Sequence, residues 1–146
     1  MLVRRATGAD LDAILPLVRG YREFYLQAHD AERERAFMER NLREGRSVVY
    51  VAQDGGRLAG FVQLFPAWST VYLGPSLILE DLFVEPGARG GGVASALLAR
   101  ALEHAQQAGA TGMFLETAVD NVAAQRVYER GGWTREGRFL KFNAPL

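Results

Sequence analysis

Two adjacent carboxylates, Glu80 and Asp81, lie in the apolar segment 77–84, which is typical of a β-strand. Either acid could accept a proton from a nucleophile. Because successive side chains of a strand point to opposite faces, normally only one of the two can face a given cleft. A β-bulge at this point would relax that rule. The residues alone therefore predict a base at one of these positions and leave the choice open.

A run of three glycines follows this strand. Arg89-Gly90-Gly91-Gly92 precedes an Ala/Leu-rich segment, 93–108, that predicts a helix. A helix N-terminus presents unpaired N–H groups and partial positive charge, which suit a phosphate or diphosphate, and glycines let such a ligand approach the backbone. A Walker A loop is excluded because the stretch has no lysine, and the dinucleotide fingerprint fails at Ser95. An ordinary turn without a ligand is the alternative.

A third candidate group is the phenol of Tyr128. Asn121 precedes it by seven residues, or two helical turns, so the two side chains share a face of the predicted helix 121–130. A phenol with a pKa near 10 can hand a proton to a departing anion. The alternatives are an aromatic ring packed under the helix for Tyr128 and a helix N-cap for Asn121.

The composition limits the other kinds of chemistry. The chain has 146 residues, 49% hydrophobic and 23% charged, as expected of a single domain spanning residues 1–146. A net charge of zero argues against a nucleic-acid partner. No apolar run reaches the roughly 18 residues of a membrane span. There is no cysteine, and His29 and His104 are the only histidines, so no metal site is expected. We expect a cytoplasmic protein.

The remaining pattern predicts strands and helices that alternate late in the chain. Asp54-Gly55 between two β-rich segments predicts a hairpin. Thr7 and Asp10 have capping-box spacing, and Pro16 is expected to kink or shorten the helix that follows them. Residues 66–76 are expected to form a loop. Strands are predicted at 2–6, 47–53, 57–65, 77–84 and 112–117, with one or two more in 133–143, and later helices at 31–42, 93–108 and 121–130.

Three motifs together resemble a known family. The loop fits Gln/Arg-x-x-Gly-x-Gly/Ala at Arg89, Gly92 and Ala94, it follows Leu-Glu-Asp-Leu-Phe-Val-Glu-Pro, and it precedes Asn-Val-Ala-Ala-Gln-Arg-Val-Tyr-Glu-Arg-Gly-Gly-Trp. In these motifs the chain resembles the GCN5-related N-acetyltransferase (GNAT) superfamily over essentially its whole length, and most closely the diamine/spermidine acetyltransferase-like subgroup. The resemblance implies an α/β fold, with a mostly antiparallel mixed sheet of about six or seven strands, a central splayed parallel pair and about four helices.

The resemblance also implies acetyl-coenzyme A (acetyl-CoA) as cosubstrate. The glycine loop would wrap its diphosphate, the strand before the loop would present amides to the pantetheine arm and the thioester, and the helix bearing Asn121 would bind the arm. The cofactor-binding residues implied in this way are Leu82, Phe83, Val84, Arg89, Gly90, Gly91, Gly92, Val93, Ala94, Ser95, Asn121 and Ala124.

For the chemistry, the subgroup resemblance favours Glu80 as the base that contacts the substrate, often through water, and Asp81 as a secondary contact. Tyr128 corresponds to the family's general acid. A base is needed because freeing the lone pair of an alkylammonium at pH 7 costs roughly 4.6 kcal/mol. With no cysteine in the chain, direct attack in a ternary complex is simpler than an acyl-enzyme route.

The acceptor is the least defined part of the prediction. Segment 66–81 resembles the diamine subgroup, which implies a small primary amine such as a polyamine, a diamine or a lysine-like amino acid. Arginines interleaved with the acids of segment 30–40 count against a polycation. A protein or peptide amine, and a non-catalytic acetyl-CoA sensor, are the alternatives. We expect Tyr25 and Trp68 to line the amine pocket, and the subgroup resemblance suggests a homodimer.

Overall fold

A five-stranded mixed sheet carries the predicted base and the glycine loop in the computed structural model, which describes all residues from Met1 to Leu146. The chain divides into two compact units, Met1–Glu116 and Thr117–Leu146. No helix combines the length and the apolar character needed to cross a membrane.

The first unit contains five strands and three helices. The strands are β1 (Leu2–Arg5), β2 (Val48–Asp54), β3 (Arg57–Ser69), β4 (Gly74–Val84) and β5 (Met113–Phe114), and the helices are α1 (Leu11–Phe24), α2 (Ala31–Glu44) and α3 (Val93–Gln107). The second unit contains helix α4 (Val122–Arg130).

The strands lie in the sheet in chain order, and only the last pairing, between β4 and β5, is parallel. This pairing involves two residues of each strand, Leu77 with Met113 and Ile78 with Phe114. Beyond Ile78, strand β4 continues to Val84 with no strand on that side. The predicted α/β fold with a splayed parallel pair is confirmed, although the pair lies at the edge of the sheet and not at its centre.

The strand count is lower than expected because the C-terminal part of the chain forms little sheet. Segment 112–117 contributes only Met113–Phe114, and residues 133–143 contain no strand. A strand exists only with a paired neighbour, and large side chains of this tail, including Phe139 and Phe142, are exposed. The sheet therefore has five strands, where about six or seven were predicted.

The second hairpin is longer than the sequence indicates. Pro66 and the residues after it predict a loop, yet β3 runs on to Ser69 and β4 begins at Gly74. Pairing continues along this extension, with Pro66 opposite Leu77 and Ser69 opposite Gly74. Cross-strand pairing overrides the local preference of proline for a loop. The first hairpin is as predicted, with Gly55 at φ +63° between paired Asp54 and Arg57.

Helix α1 shows both a confirmed and a wrong expectation. The predicted capping box is present, because Thr7 accepts a bond from Ala9 and donates its own N–H to Asp10. Pro16 does not shorten the helix, which runs for 14 residues through it. Since Pro16 stands in the second turn, its missing N–H removes a single intrahelical bond near the helix start.

The helices of the first unit cover both faces of the sheet. One buried cluster joins α1 and α2 to one face of the strands. Because side chains alternate along a strand, Tyr50 points to the other face, where its hydroxyl lies 2.9 Å from His104 of α3. The cluster on the first face consists of Ala6, Leu11, Ile14, Leu17, Val18, Met38, Val49, Val51, Leu58, Phe61 and Phe83.

Candidate active site

A β-bulge separates the two adjacent carboxylates of β4. Gln63 of β3 pairs with Asp81, but the next residue, Leu64, pairs with Leu79. Glu80 is therefore the extra residue, with no partner on β3. Its side chain is exposed, and its carbonyl accepts a bond of 3.0 Å from the Tyr21 hydroxyl. The bulge that could relax strict alternation is thus present at this site.

Asp81 faces the layer formed by α1 and α2. Residues directly opposite one another on paired strands share a face, and Gln63, the partner of Asp81, is buried on that face beside Met38. The Nε2 of Gln63 donates a bond of 2.6 Å to Oδ2 of Asp81. Burial raises the pKa of the Asp81 carboxyl, the bond from Gln63 opposes that rise, and the charge of Glu80 adds to it.

A cavity of about 480 Å³ lies between α1, α2 and the sheet, and we call it the α1/α2 cavity. Its acidic lining groups are Glu34 and Asp81. Glu34 is already paired with Arg22 at 2.6 Å, whereas Asp81 has no cationic partner. The full lining consists of Val18, Tyr21, Arg22, Arg33, Glu34, Ala36, Phe37, Met38, Arg40, Arg46, Phe61, Gln63 and Asp81.

Three of the predicted acceptor-side residues do not line this cavity. Glu80 is on the exposed bulge, and Trp68, 79% exposed, is near the far end of β3. Tyr25 packs its ring edge-on against Tyr21 with 5.1 Å between centroids, and Tyr21 is the aromatic residue of α1 that lines the cavity. Only Asp81 of the predicted acceptor-side residues is among its lining groups.

A buried chain of side-chain hydrogen bonds leads from the cavity rim to Asp81. Arg46 donates to Oδ1 of Asn41 at 3.0 Å, and Asn41 donates to Oε1 of Gln63 at 3.1 Å. Ser47 donates to the same oxygen at 2.7 Å, and Gln63 then donates to Asp81. Sequence reasoning missed Asn41 and Gln63. The available signal was two amides at apolar-patterned positions, which are buried only with partners.

Tyr21 lies close to the carboxylate and is itself perturbed. Burial raises the pKa of its phenol well above the usual range, and the charge of Asp81 and the neighbouring Tyr25 add to the shift. The phenol therefore stays protonated at neutral pH, and its hydroxyl remains a donor to the carbonyl of Glu80. This bond holds α1 against the bulge.

The glycine loop has the backbone geometry that an anion site requires. Gly90 and Gly92 both have φ of +83°, and nothing lies within 4 Å of where a side chain would begin. Gly92 is the N-cap residue of α3 and has no side chain that could accept a bond from the first turn. The first backbone bond of the helix is donated by the Ala96 N–H to the Gly92 carbonyl. The amides of the first helical turn (Val93, Ala94 and Ser95) are therefore left for a ligand. Free amides at a helix N-terminus suit an anionic ligand.

The end of β4 supplies further unpaired amides. The N–H of Glu85 donates to the carbonyl of Ala59 on β3 at 2.9 Å. Because N–H groups alternate in direction along an antiparallel strand, the amides of Leu82 and Val84 point to the opposite edge, which β5 leaves open. The Phe83 amide points towards β3, and its ring is buried in the α1/α2 layer.

Arg89 is fixed at the start of the loop by contacts with β4. Its Nε donates to the Val84 carbonyl at 2.9 Å, and its guanidinium lies 5.6 Å above the ring of Phe83. These contacts use one donor and leave the terminal nitrogens at the exposed loop. Nowhere in the structure do three or more histidine or acidic side chains gather to hold a metal ion.

The remaining predicted residues lie in the second unit. Asn121 is the N-cap of α4, and its Oδ1 accepts from the Ala124 amide at 3.2 Å, which leaves its NH₂ group for another partner. Tyr128 is half-buried on α4, with its ring centroid 6.2 Å from that of Trp133. The N-cap alternative for Asn121 is present, and it is compatible with a second bond from the same side chain.

Comparison with known proteins identifies the family of the chain. Residues 14–133 match the family model described as the acetyltransferase (GNAT) family. An uncharacterized N-acetyltransferase of Bacillus subtilis (strain 168) is 39% identical over 99% of this chain and 99% of its own length. A crystal structure of a probable acetyltransferase superposes with a TM-score of 0.94 at 38% identity, covering 100% of this chain and 98% of that one.

A more distant structure shares the fold. An aminoglycoside N-acetyltransferase solved in complex with CoA has a TM-score of 0.83 at 21% identity, and the match covers 99% of this chain and 95% of that one. At this level of identity the likeness concerns the arrangement of strands and helices alone.

Proposed function

This chain belongs to the GNAT acetyltransferase family and is an acetyl-CoA-dependent N-acetyltransferase, and we propose that its acceptor is the primary amine of a small molecule bound in the α1/α2 cavity. The observation that supports this most is the position of Asp81. Its carboxylate lines the cavity, and the next residue along β4, Leu82, carries an amide on the open edge of the sheet.

Acetyl-CoA supplies an acetyl group in thioester linkage. The amides of residues 90–95 and the guanidinium of Arg89 are the groups that would hold its diphosphate. Gly90 and Gly92, both at positive φ, keep that surface free of side chains. On the second unit, the NH₂ group of Asn121 and the residue it caps, Ala124, are proposed contacts of the pantetheine arm.

We assign the removal of the amine proton to Asp81. Its carboxylate lines the cavity, it has no cationic partner, and its raised pKa makes it a stronger base than an ordinary aspartate. Glu80, which the sequence favours, is exposed on the bulge and would have to act through water. It stays the competing candidate.

Two further groups complete the proposed transfer. The amides of Leu82 and Val84, on the open edge of β4, would stabilise negative charge that develops on the acetyl oxygen. The Tyr128 phenol would protonate the departing thiolate. The chain has no cysteine to form an acyl-enzyme, so direct attack of the amine on the acetyl carbon is the simpler route. The C–N bond would form as negative charge moves onto the acetyl oxygen, and the C–S bond would then break with release of the CoA thiol.

The charge of the cavity restricts the choice of amine. The sequence suggests a polyamine, a diamine or a lysine-like amino acid, and four arginines line the cavity: Arg22, Arg33, Arg40 and Arg46. A polycation prefers uncompensated carboxylates, so a small monoamine or an amino acid is favoured. We keep a cytoplasmic location and a homodimer as predictions.

Release of free thiol from acetyl-CoA, followed with a colorimetric reagent over a panel of small primary amines, tests this function. We expect release with at least one amine, and a product whose mass is increased by one acetyl group. If acetyl-CoA binds and no small amine gives release, while a peptide N-terminus or a peptide lysine does, the acceptor assignment is wrong. If nothing gives release, the non-catalytic sensor becomes the better account.

A further inference from the structure

Arg46 differs from the other arginines that line the α1/α2 cavity. Arg22 pairs with Glu34 at 2.6 Å, Arg40 with Glu44 at 3.3 Å, and Arg33 has Asp30 at 4.0 Å. Arg46 has no carboxylate partner. Its charge is therefore the one positive charge in the lining that no carboxylate of the protein compensates.

The Arg46 guanidinium is nevertheless held in place. Its Nε donates to Asn41 at 3.0 Å, one terminal nitrogen donates to the Phe37 carbonyl at 3.4 Å, and its Cζ lies over the Phe37 ring, 5.7 Å from the centroid. Asn41 is completely buried. A half-buried guanidinium with neutral anchors retains donors for a planar anion.

Arg46 and Asp81 line the same cavity and are joined through its wall by two amide side chains, Asn41 and Gln63. A molecule that occupies the cavity thus meets a proton acceptor at one position and an uncompensated cation at another. The cavity, about 480 Å³, is large enough for a small metabolite.

We infer that Arg46 binds an anionic group of the acceptor, so that the amine acetylated by this enzyme also carries a carboxylate, as in an amino acid. This inference rests on the proposed function, because it assumes that the acceptor occupies the α1/α2 cavity. It separates amino acids from the diamines and polyamines that the sequence motifs also suggest. Arg46 is a specificity-determining residue in this account, and it takes no part in proton transfer.

Matched acceptors test the inference. Lysine, lysinamide and 1,5-diaminopentane differ at the carboxylate, as do 4-aminobutyrate and butylamine. In the set that the wild-type enzyme acetylates faster, we expect kcat/KM to be about 10- to 100-fold higher for the amine with a carboxylate than for the amines without one. This is the effect of one charge-assisted hydrogen bond. Equal kcat/KM for the acid and its counterparts without a carboxylate, in both sets, would overturn the inference and leave the proposed function intact.

The variant Arg46→Gln should remove this preference. We expect the KM of the carboxylated amine to rise by about 10- to 100-fold, while kcat/KM for the matched amide is unchanged. Arg46→Lys keeps the cation and should retain part of the preference. Arg43→Gln, on the outer face of α2 and paired with Glu39, is the matched control and should behave as wild type. An equal loss for acid and amide in Arg46→Gln would contradict the assignment.

A binding measurement separates this inference from catalysis. The N-acetylated amino acid and its amide are titrated into the wild type and Arg46→Gln in the presence of CoA, with melting temperatures recorded for both proteins. We expect the acid to bind the wild type more tightly than the amide, and Arg46→Gln to bind both equally. Equal binding by the wild type overturns the inference even if thiol release has been observed.

Discussion

Gln63 donates a hydrogen bond of 2.6 Å to the Asp81 carboxylate, and it does so from a completely buried position on the opposite strand. Both lone-pair positions of its own oxygen are used, by Asn41 and Ser47. Its amide is therefore fixed with the NH₂ group towards the carboxylate. This relationship gives the proposed base one orientation.

Asp81→Asn should separate activity from stability. Replacing the carboxylate by an amide that cannot accept the amine proton should lower kcat/KM by about 100-fold or more. The folded-state pKa of Asp81 is raised, so its contribution to the free energy of unfolding is favourable below the unfolded pKa and is lost as pH rises through the folded pKa. The variant should thus melt at a higher temperature than the wild type at pH 7 and at the same temperature near pH 3, as followed by thermal unfolding at both pH values.

Glu80→Gln is the comparison for that experiment. Glu80 is exposed and lies outside the cavity, so its variant should keep most of the wild-type kcat/KM. Because the charge of Glu80 raises the pKa of Asp81, its removal should move the ascending limb of kcat/KM against pH to lower pH. If Glu80→Gln instead loses the rate most strongly at low pH while Asp81→Asn is active, Glu80 is the base and the assignment made from the cavity is wrong.

Gln63→Met tests the positioning bond. Removing the Gln63 donor removes an interaction that lowers the pKa of Asp81, so the pKa should rise further. The ascending limb of kcat/KM against pH should then move to higher pH than in the wild type. Loss of partners for the buried groups of Asn41 and Ser47 should also cost about 1–3 kcal/mol of stability. If the variant is less stable but its ascending limb of kcat/KM against pH coincides with that of the wild type, Gln63 has only a structural role.

Tyr128→Phe tests the proposed general acid on α4. Without the hydroxyl, the departing thiolate must take its proton from water, and we expect kcat to fall by about 100-fold. The dissociation constant of acetyl-CoA, measured by calorimetry, should change little because the ring is retained. A variant with wild-type kcat would exclude Tyr128 as the acid.

His104 should make stability depend on pH because its imidazole is partly buried near two arginines. Burial lowers the pKa of its imidazole, and the charges of Arg5 and Arg100 lower it further. The folded protein therefore binds fewer protons here than the unfolded chain below about pH 6.5, and the free energy of unfolding falls as pH is lowered through that region. His104→Gln should show a smaller loss of melting temperature between pH 7 and pH 5. If the melting temperatures of the variant and the wild type fall equally between pH 7 and pH 5, other groups cause the loss of stability.

Sequence patterns predicted the parts of this molecule that depend on local geometry. Gly92 precedes α3 at positive φ, and Asp54 and Gly55 lie at the turn of the first hairpin. Asn121 is the N-cap of α4, which is the alternative role that the sequence indicated for it. In each case the preference belongs to a few adjacent residues, so no knowledge of distant contacts is needed.

The features that the sequence did not reveal depend on distant partners. Nothing near Gln63 in the chain indicates that it meets Asn41 of α2 and Asp81 of β4. The choice between the two adjacent acids depends on the bulge register, which pairing with β3 determines. The length of β5 likewise depends on how far it stays beside β4.

Titration of acetyl-CoA into the protein by calorimetry tests the central claim most directly, because the account requires the backbone amides of residues 90–95 to hold a diphosphate. The wild type should bind acetyl-CoA with measurable heat. Gly92→Val should bind at least about 100-fold more weakly, since a β-branched side chain is strained at a φ of +83° and would obstruct the loop. A wild type that gives no heat at near-millimolar acetyl-CoA, or a Gly92→Val variant that binds as tightly, would contradict it.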